Sequence, residues 1–464
     1  MENRLQDIAT TGEQGDESGE AGALPPAFAV NRRGLPVALF TLRQKLYLKA
    51  KREPQFRFYA LYDRIYRLDV LEAAWALVAA NDGAPGVDGV SIRQIGTTPG
   101  GAATLVATLQ TELRSKQYRP QAIRRVFIPK ADGRPRPLGI PTVRDRVVQT
   151  AALLILEPIF EADFRDCSYG YRPARQAHEA LAAVLTALRE GDTAIYDADL
   201  AAYFDTIPHD KLMQCVARRV ADRSVRRLLR QWLTAPVEDR DDDGRPRRRR
   251  PTQGTPQGGV ISPLLANLYL HWFDVRFHRA EGPAAWARAR LIRYADDFVI
   301  LARTISPRLP DWVEAVVEGW LGLTINRQKT RLVTVGPTGE GAVTFLGYTF
   351  RYDRDRFGRG HRYLVAVPSD RAVVRCRAAV RQVVATCRGQ VPLPDLIRQV
   401  NRMLRGWGAY FSFGYPRRAH RRVNAYVVAR LMNHARRRSQ RPCRPPAGMS
   451  WSSYFTTELG LELL

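Results

Sequence analysis

Apolar residues recur at mixed three- and four-residue spacings between positions 39 and 77, at Leu42, Leu46, Phe58, Leu61, Tyr62, Ile65, Leu68 and Leu71, with Lys and Arg between them. That periodicity predicts amphipathic helices with one basic face. Residues 81–89, NDGAPGVDG, set Gly, Pro and Asp in turn-forming order and predict a structured loop, followed by a helix at 105–117. Over 122–140 apolar Ile123, Val126 and Ile128 alternate with basic residues around a turn at Asp132-Gly133, which predicts a β-hairpin with one basic face. Helical spacing returns at 144–160 and 174–188, and 194–200 reads as a buried strand leading into a turn at Pro208.

The polar run 238–251, with Asp241 to Asp243 and Arg247 to Arg250, reads as an exposed loop. Beyond it come a helix at 262–277 with Ser262 as its cap and Pro263 in its first turn, a strand-turn-strand at 291–301, a helix at 311–321 and a strand at 343–350. From 371 to 438 the chain is almost wholly helical and very basic. The fold class is α+β, and 464 residues suit two or three lobes. Residues 1–30 are acidic and rich in Gly, Glu and Ala, too poor in large apolar residues to build a core, and are expected as a disordered tail.

Charge narrows the function classes. Lys and Arg number 72 against 46 Asp and Glu, a net charge of +26. Self-repulsion of that size raises the energy of the compact state unless a polyanion screens it, so nucleic acid is the expected partner. Basic residues also lie near clustered aromatics, as in Trp407, Tyr410, Phe411 and Phe413. The five cysteines, Cys167, Cys215, Cys376, Cys387 and Cys443, lack the paired short spacing of a zinc site or disulfide framework. No run approaches the ~20 apolar residues that span a bilayer, so no membrane partner and a cytoplasmic location are expected. No oligomeric state is assigned.

The chemistry concentrates in Tyr294-Ala295-Asp296-Asp297, between the apolar runs Leu291-Ile292 and Phe298 to Leu301. Adjacent carboxylates at a buried hairpin tip repel unless a cation neutralises them. A second element, Tyr196-Asp197-Ala198-Asp199-Leu200 followed by Tyr203-Phe204-Asp205, offers a further carboxylate at a strand end. Together they suit two Mg²⁺ ions, which would activate a primer 3′-hydroxyl and stabilise leaving pyrophosphate. Asp197 and Asp199 share a strand face, and either could serve.

From about 42 to 407 the chain resembles the group II intron-encoded reverse transcriptase/maturase family. The segments RRVFIPKADGRPRPLGIPT (124–142), SYGYRP (168–173), DLAAYFD (199–205), QGTPQGGVISPLLANLYL (253–270), YADD (294–297), GLTINRQKT (322–330) and FLGY (345–348) resemble its successive blocks in order. The resemblance implies a right-hand polymerase. Residues 31–360 would be fingers and palm, 361–436 a helical thumb/maturase region that grips nucleic acid, and 437–464 a short extension without the paired cysteines and histidines of an HNH nuclease. It implies metal-binding, catalytic roles for Asp199, Asp296 and Asp297. The spacing to Phe204-Asp205 favours Asp199 over Asp197. Lys130 and Arg136 would hold the incoming triphosphate, and Phe204 would exclude a 2′-hydroxyl. Gln257, with Gly258-Gly259, would lie close to nucleotide and template, and Lys329 would lie near the active site. The implied function is RNA-templated DNA synthesis from dNTPs on a DNA primer, with binding of structured intron RNA for splicing and mobility. Two rivals are a domesticated reverse transcriptase of defence, CRISPR adaptation or DNA repair, and a non-catalytic RNA-binding splicing factor.

Overall fold

The computed structural model describes residues 24–31, 33–129, 135–240, 245–338, 341–355, 360–386, 391–438 and 443–464. They divide into two compact units interleaved along the chain, Met1–Gln121, Pro141–Phe164 and Met213–Trp232 in the first and Ala122–Ile140, Arg165–Leu212 and Leu233–Leu464 in the second.

The first unit is helical. Its centre is the helix Val143–Glu161, buried on nearly every side, against which Val37–Arg52 and Leu68–Ala80 pack. A helix that is apolar almost all round must sit inside. One of its buried acids, Glu157, is paired with Arg43 Nη2 at 2.5 Å. The loop 81–89 closes onto this helix, because a Cβ on Gly86 would stand 2.7 Å from the Thr142 backbone. Within the segment 1–30 expected to be disordered, Phe28 is buried and stacks on Tyr47 at 5.1 Å, so its described end, 24–30, is ordered against the fold.

In the second unit the strands run in chain order as β1 (Ile123–Pro129), β2 (Pro135–Ile140), β3 (Ala194–Ala198), β4 (Val237–Arg240) and β5 (Pro246–Arg249). They continue as β6 (Arg290–Tyr294), β7 (Asp297–Ala302), β8 (Arg331–Thr334), β9 (Val343–Phe345), β10 (Tyr348–Arg354) and β11 (Arg362–Pro368). β1 and β2 form the expected hairpin, with Val126 opposite Leu138; its turn at Asp132-Gly133 lies outside the described residues. The run 238–251 is not a plain loop. β4 and β5 pair as a hairpin, with Glu238 opposite Arg248, and β4 joins β1 in parallel. Cross-strand ion pairing, Arg248 Nε to Glu238 Oε2 at 2.8 Å, lets so polar a sequence form strands.

The catalytic-type segments sit on an antiparallel sheet ordered β6-β7-β3-β8. Ile195, Ile292, Val299 and Leu301 are buried in its core with the helix Ala177–Arg189. The stretch 343–350 is two strands rather than one, because Leu346 and Gly347 adopt φ of 48° and 82° and fold β9 back on β10. The helix Ser262–Phe277 has the expected bounds, but its N-cap residue is Ile261 and Ser262 makes no capping bond. The helix read at 311–321 starts at Arg308 and continues from Ala315 as a π-helical turn.

The C-terminal helices Asp370–Thr386, Leu393–Tyr410 and Arg417–Arg437 bury Val373, Val380, Leu396, Val400, Val423, Val427 and Leu431 against one another. Apolar residues at helical spacing face inward, leaving most arginines outside. Among the described residues no helix is long and apolar enough to cross a membrane.

Candidate active site

β6 and β7 are joined by a two-residue turn, with Tyr294 opposite Asp297 and Ala295 and Asp296 between them. Ala295 is held at φ 59°, a left-handed conformation that costs an alanine about 1–2 kcal/mol. The cost is met from below. Arg293, fully buried on β6, donates from Nη1 to the Ala295 carbonyl at 2.9 Å and to Asn267 Oδ1 at 3.0 Å. Its charge is balanced by fully buried Asp274, reached from Nε at 2.8 Å and Nη2 at 2.5 Å. Asn267 Nδ2 donates in turn to the Gly170 carbonyl at 2.6 Å. Gly170 has no room for a side chain, since a Cβ there would lie 2.4 Å from Ala295 N. The SYGYRP segment and the helix Ser262–Phe277 thus form a seat for the YADD turn. Neither Arg293 nor Asp274 is evident from sequence pattern, since their partnership joins residues 19 apart on different elements.

The carboxylates converge on this turn. Asp199 follows β3, and its Oδ2 accepts from Lys329 Nζ and Asn326 Nδ2, each at 3.0 Å. The backbone of Asn326 donates to the Asp199 carbonyl at 2.8 Å, so the GLTINRQKT segment wraps this aspartate. Asp296 is pushed above the ordinary carboxylate range by burial, with Asp199 adding to the push and Arg136 and Arg293 opposing it. Asp297 touches solvent yet is hemmed in by protein. That confinement, then repulsion from Asp296, Asp199 and Asp197, pushes it up to about 7, against Lys329. Asp197, opposite Arg331 on β8, is raised to about 6, first by burial, while Arg331 opposes and Asp199 adds. Four carboxylates therefore repel one another at one edge of the sheet, Asp197 among them.

Among the described residues no three acidic, His or Cys side chains already close around one ion-sized point. The donor set nevertheless suits a hard divalent cation: all its donors are oxygens, and bound positive charge would relieve the repulsion that adds to burial in raising Asp296 and Asp297.

Arg136 on β2 donates from Nε to Gln257 Oε1 at 3.0 Å, and Gln257 Nε2 donates to Asp205 Oδ2 at 3.3 Å. This chain joins the basic hairpin, the QGTPQGG loop and the DLAAYFD turn. Gly258 is needed for the packing of this loop on β2. Its φ is 105°, and a Cβ would stand 2.4 Å from the Gly139 carbonyl, so the close approach is to β2. Phe204 is 6 % exposed, with Tyr203 and Tyr171 against its ring at 5.5 and 6.4 Å. Lys130 lies outside the described residues.

In the C-terminal region the rings of Trp407 and Phe411 meet at 4.6 Å, tilted, with Phe411 in the core and half-buried Trp407 packed against it. A groove of about 1550 Å³ runs between β10, β11 and the start of Arg417–Arg437, lined by Arg354, Arg417, Arg418 and Arg421. Exposed Tyr363 and Tyr415 meet in it at 5.9 Å.

Residues 128–350 match the family described as reverse transcriptase (RNA-dependent DNA polymerase), and residues 373–447 match the group II intron, maturase-specific domain. Protein YkfC of Escherichia coli K12 is 34% identical over 366 residues, covering 71% of this chain and 93% of that protein. The group II intron-encoded protein LtrA of Lactococcus lactis is 34% identical over 222 residues, 47% of this chain and 35% of LtrA. An uncharacterized 91 kDa protein in the cob intron of Schizosaccharomyces pombe is 28% identical over 388 residues, 69% of this chain and 47% of its own. The chain thus spans nearly all of YkfC but less than half of the other two. Among solved structures, telomerase from Candida albicans with a fragment of telomeric RNA overlaps with a TM-score of 0.39 at 11% identity, covering 72% of this chain and 62% of that one.

The chain belongs to the group II intron-encoded reverse transcriptase/maturase family, with the right-hand polymerase fold class of reverse transcriptases. It is an RNA-directed DNA polymerase, and its two domains imply nucleic-acid binding. The family uses divalent metal.

Proposed function

We propose that Asp199, Asp296 and Asp297 hold two Mg²⁺ ions and that the site extends a DNA primer on an RNA template, on a protein that also binds structured intron RNA for splicing and mobility. The observation that carries this reading is the gathering of these carboxylates around a strained turn, where burial first and then mutual repulsion push Asp297 up to about 7. When bound, the metal would supply a lowered pKa for the attacking 3′-hydroxyl and charge stabilisation for the phosphoryl group and leaving pyrophosphate.

The chain's own residues do the positioning. Arg293 fixes the turn, and so the direction of the Asp296 and Asp297 carboxylates. Asn326 orients Asp199, while Lys329 donates to its Oδ2 and would serve a substrate phosphate instead if Asp199 held metal. Arg136, steered by Gln257, offers a planar fork to the triphosphate, and Lys130 is proposed as a second cation for it, a point charge. Phe204, braced by Tyr171 and Tyr203, would press on the sugar and select dNTPs. The arginine-lined groove at Tyr363 and Tyr415 offers phosphate contacts and ring faces to RNA. Intact Asp199, Asp296 and Asp297 speak against a purely structural splicing factor.

The test is primer extension on an RNA template during a Mg²⁺ titration, alongside self-splicing of a group II intron RNA with and without the protein. Extension should vanish in chelator and return with a Mg²⁺ dependence steeper than first order. Extension indifferent to chelator would overturn the metal assignment, and splicing indifferent to the protein would overturn the maturase assignment.

A further inference from the structure

A second cationic site lies wholly within the helical first unit. A cavity of about 170 Å³ is lined by Tyr62, Lys116, Arg119, Arg223, Arg227 and Gln231, among others. At ~30 Å³ per water, that is room for about six waters, enough for one phosphate with part of its sugar. The cations come from two directions. Lys116 and Arg119 sit on the turn after the helix Gly101–Arg114, and Arg223 and Arg227 lie four residues apart on the helix Arg223–Leu233, with Gln231 one turn further on the same face.

Like charges at that spacing repel, and a second pair facing them adds to the cost. Four other cations of the unit are neutralised: Arg43 by Glu157, Arg67 by Asp69, Arg144 by Glu112 and Arg219 by Asp163. Among the described residues Lys116, Arg119, Arg223 and Arg227 have no carboxylate partner. The acid nearest in sequence, Asp222, is already engaged by four backbone donors, the N–H groups of Leu61, Tyr62, Ser224 and Val225 at 2.9 to 3.2 Å. It caps the helix, so what remains to meet a ligand is the side-chain charge. Arg119 is also held, donating from Nη1 to the carbonyls of Lys116 and Tyr118 at 2.9 and 2.7 Å. The Tyr62 hydroxyl is spent on the Leu113 carbonyl at 2.9 Å, which leaves its ring as an apolar wall beside Leu228.

We infer that this cavity is a phosphate-binding site that takes one backbone phosphate, with its sugar against Tyr62, of the RNA bound by the protein. All four cations are exposed at its rim, which suits a passing strand rather than an enclosed small molecule.

The experiment compares wild type with the variants Arg119→Gln/Arg223→Gln/Arg227→Gln and Arg119→Lys/Arg223→Lys/Arg227→Lys. RNA affinity is measured against salt, together with binding of inorganic phosphate at fixed ionic strength. One phosphate neutralised corresponds to about 0.7–0.9 in the slope of log K on log salt, so the Gln variant should lose about that much, and the Lys variant should keep the wild-type slope. An unchanged slope together with unchanged inorganic phosphate binding in the Gln variant overturns the site. Equal losses in the Gln and Lys variants also overturn it, since charge would then not be what matters. An unchanged RNA slope with loss of inorganic phosphate binding overturns the RNA assignment and makes free phosphate the ligand.

Discussion

Arg293 grips Asp274 with two parallel donors, Nε to Oδ1 at 2.8 Å and Nη2 to Oδ2 at 2.5 Å, and neither side chain meets solvent. A third donor on the same guanidinium holds the Ala295 carbonyl, so one buried ion pair sets the conformation of the turn that carries Asp296 and Asp297. Arg293→Met leaves Asp274 charged and unpaired and should cost roughly 3–5 kcal/mol in urea unfolding. Arg293→Met/Asp274→Leu should recover most of that, because an apolar replacement of a buried pair is often neutral. It does not restore the bond to Ala295, so primer extension should stay at least about tenfold below wild type. Recovery of extension along with stability would mean that the pair serves only the fold.

Beside that pair His271 is buried, and burial lowers its imidazole to about 4, with Arg293 adding and Asp274 opposing. Its value in the unfolded chain is near 6.5, so between about 6.5 and 4 the unfolded state binds the extra proton and stability falls as pH falls. A depression of this size corresponds to roughly 3 kcal/mol lost by pH 4. His271→Gln should flatten the unfolding free energy over that range. A wild-type pH dependence in the variant would assign the acid loss to other groups.

Much of this arrangement was legible in the sequence and some was not, for reasons of range. The β6–β7 hairpin and β3 follow from short apolar runs, and the acids at their ends stand out because charge interrupts such a run. The hairpin at Leu346-Gly347 had a local signal, a glycine where the chain must adopt positive φ. By contrast β4 becomes a strand by pairing with β1, more than a hundred residues earlier, and 238–240 alone reads as solvated. The seat under the YADD turn is of the same kind. A buried arginine is explained only by a partner that chain order does not reveal, and the interleaving of the two units leaves no mark on hydrophobic period.

Lys329 stands on Asp199 at 3.0 Å, where it competes with metal for the same oxygen. Lys329→Met should tighten Mg²⁺ binding without nucleotide, by up to about tenfold for ~1.4 kcal/mol, while raising the KM for dNTP if the ammonium moves to the triphosphate. Titration of Mg²⁺ by calorimetry and steady-state extension read the two effects separately. Unchanged values of both would place Lys329 outside the reaction.

Phe204 has a stake in the fold as well as in selectivity, since its ring is nearly enclosed by Tyr171 and Tyr203. Phe204→Val should therefore lower stability by about 1–3 kcal/mol and increase rNTP incorporation relative to dNTP. Single-nucleotide extension with each substrate checks the second effect. Lost stability with unchanged discrimination would make Phe204 a packing residue alone.

The central claim is that the carboxylates at the β6–β7 turn carry polymerisation, and Asp296→Ala tests it most directly. The experiment is single-turnover primer extension on an RNA template, with RNA affinity measured on the same preparation. A metal-held carboxylate contributes several kcal/mol to the transition state, so at ~1.4 kcal/mol per tenfold, extension should fall by about a hundredfold or more while RNA affinity stays within about twofold. Near-normal extension by Asp296→Ala, with RNA still bound, would contradict the account.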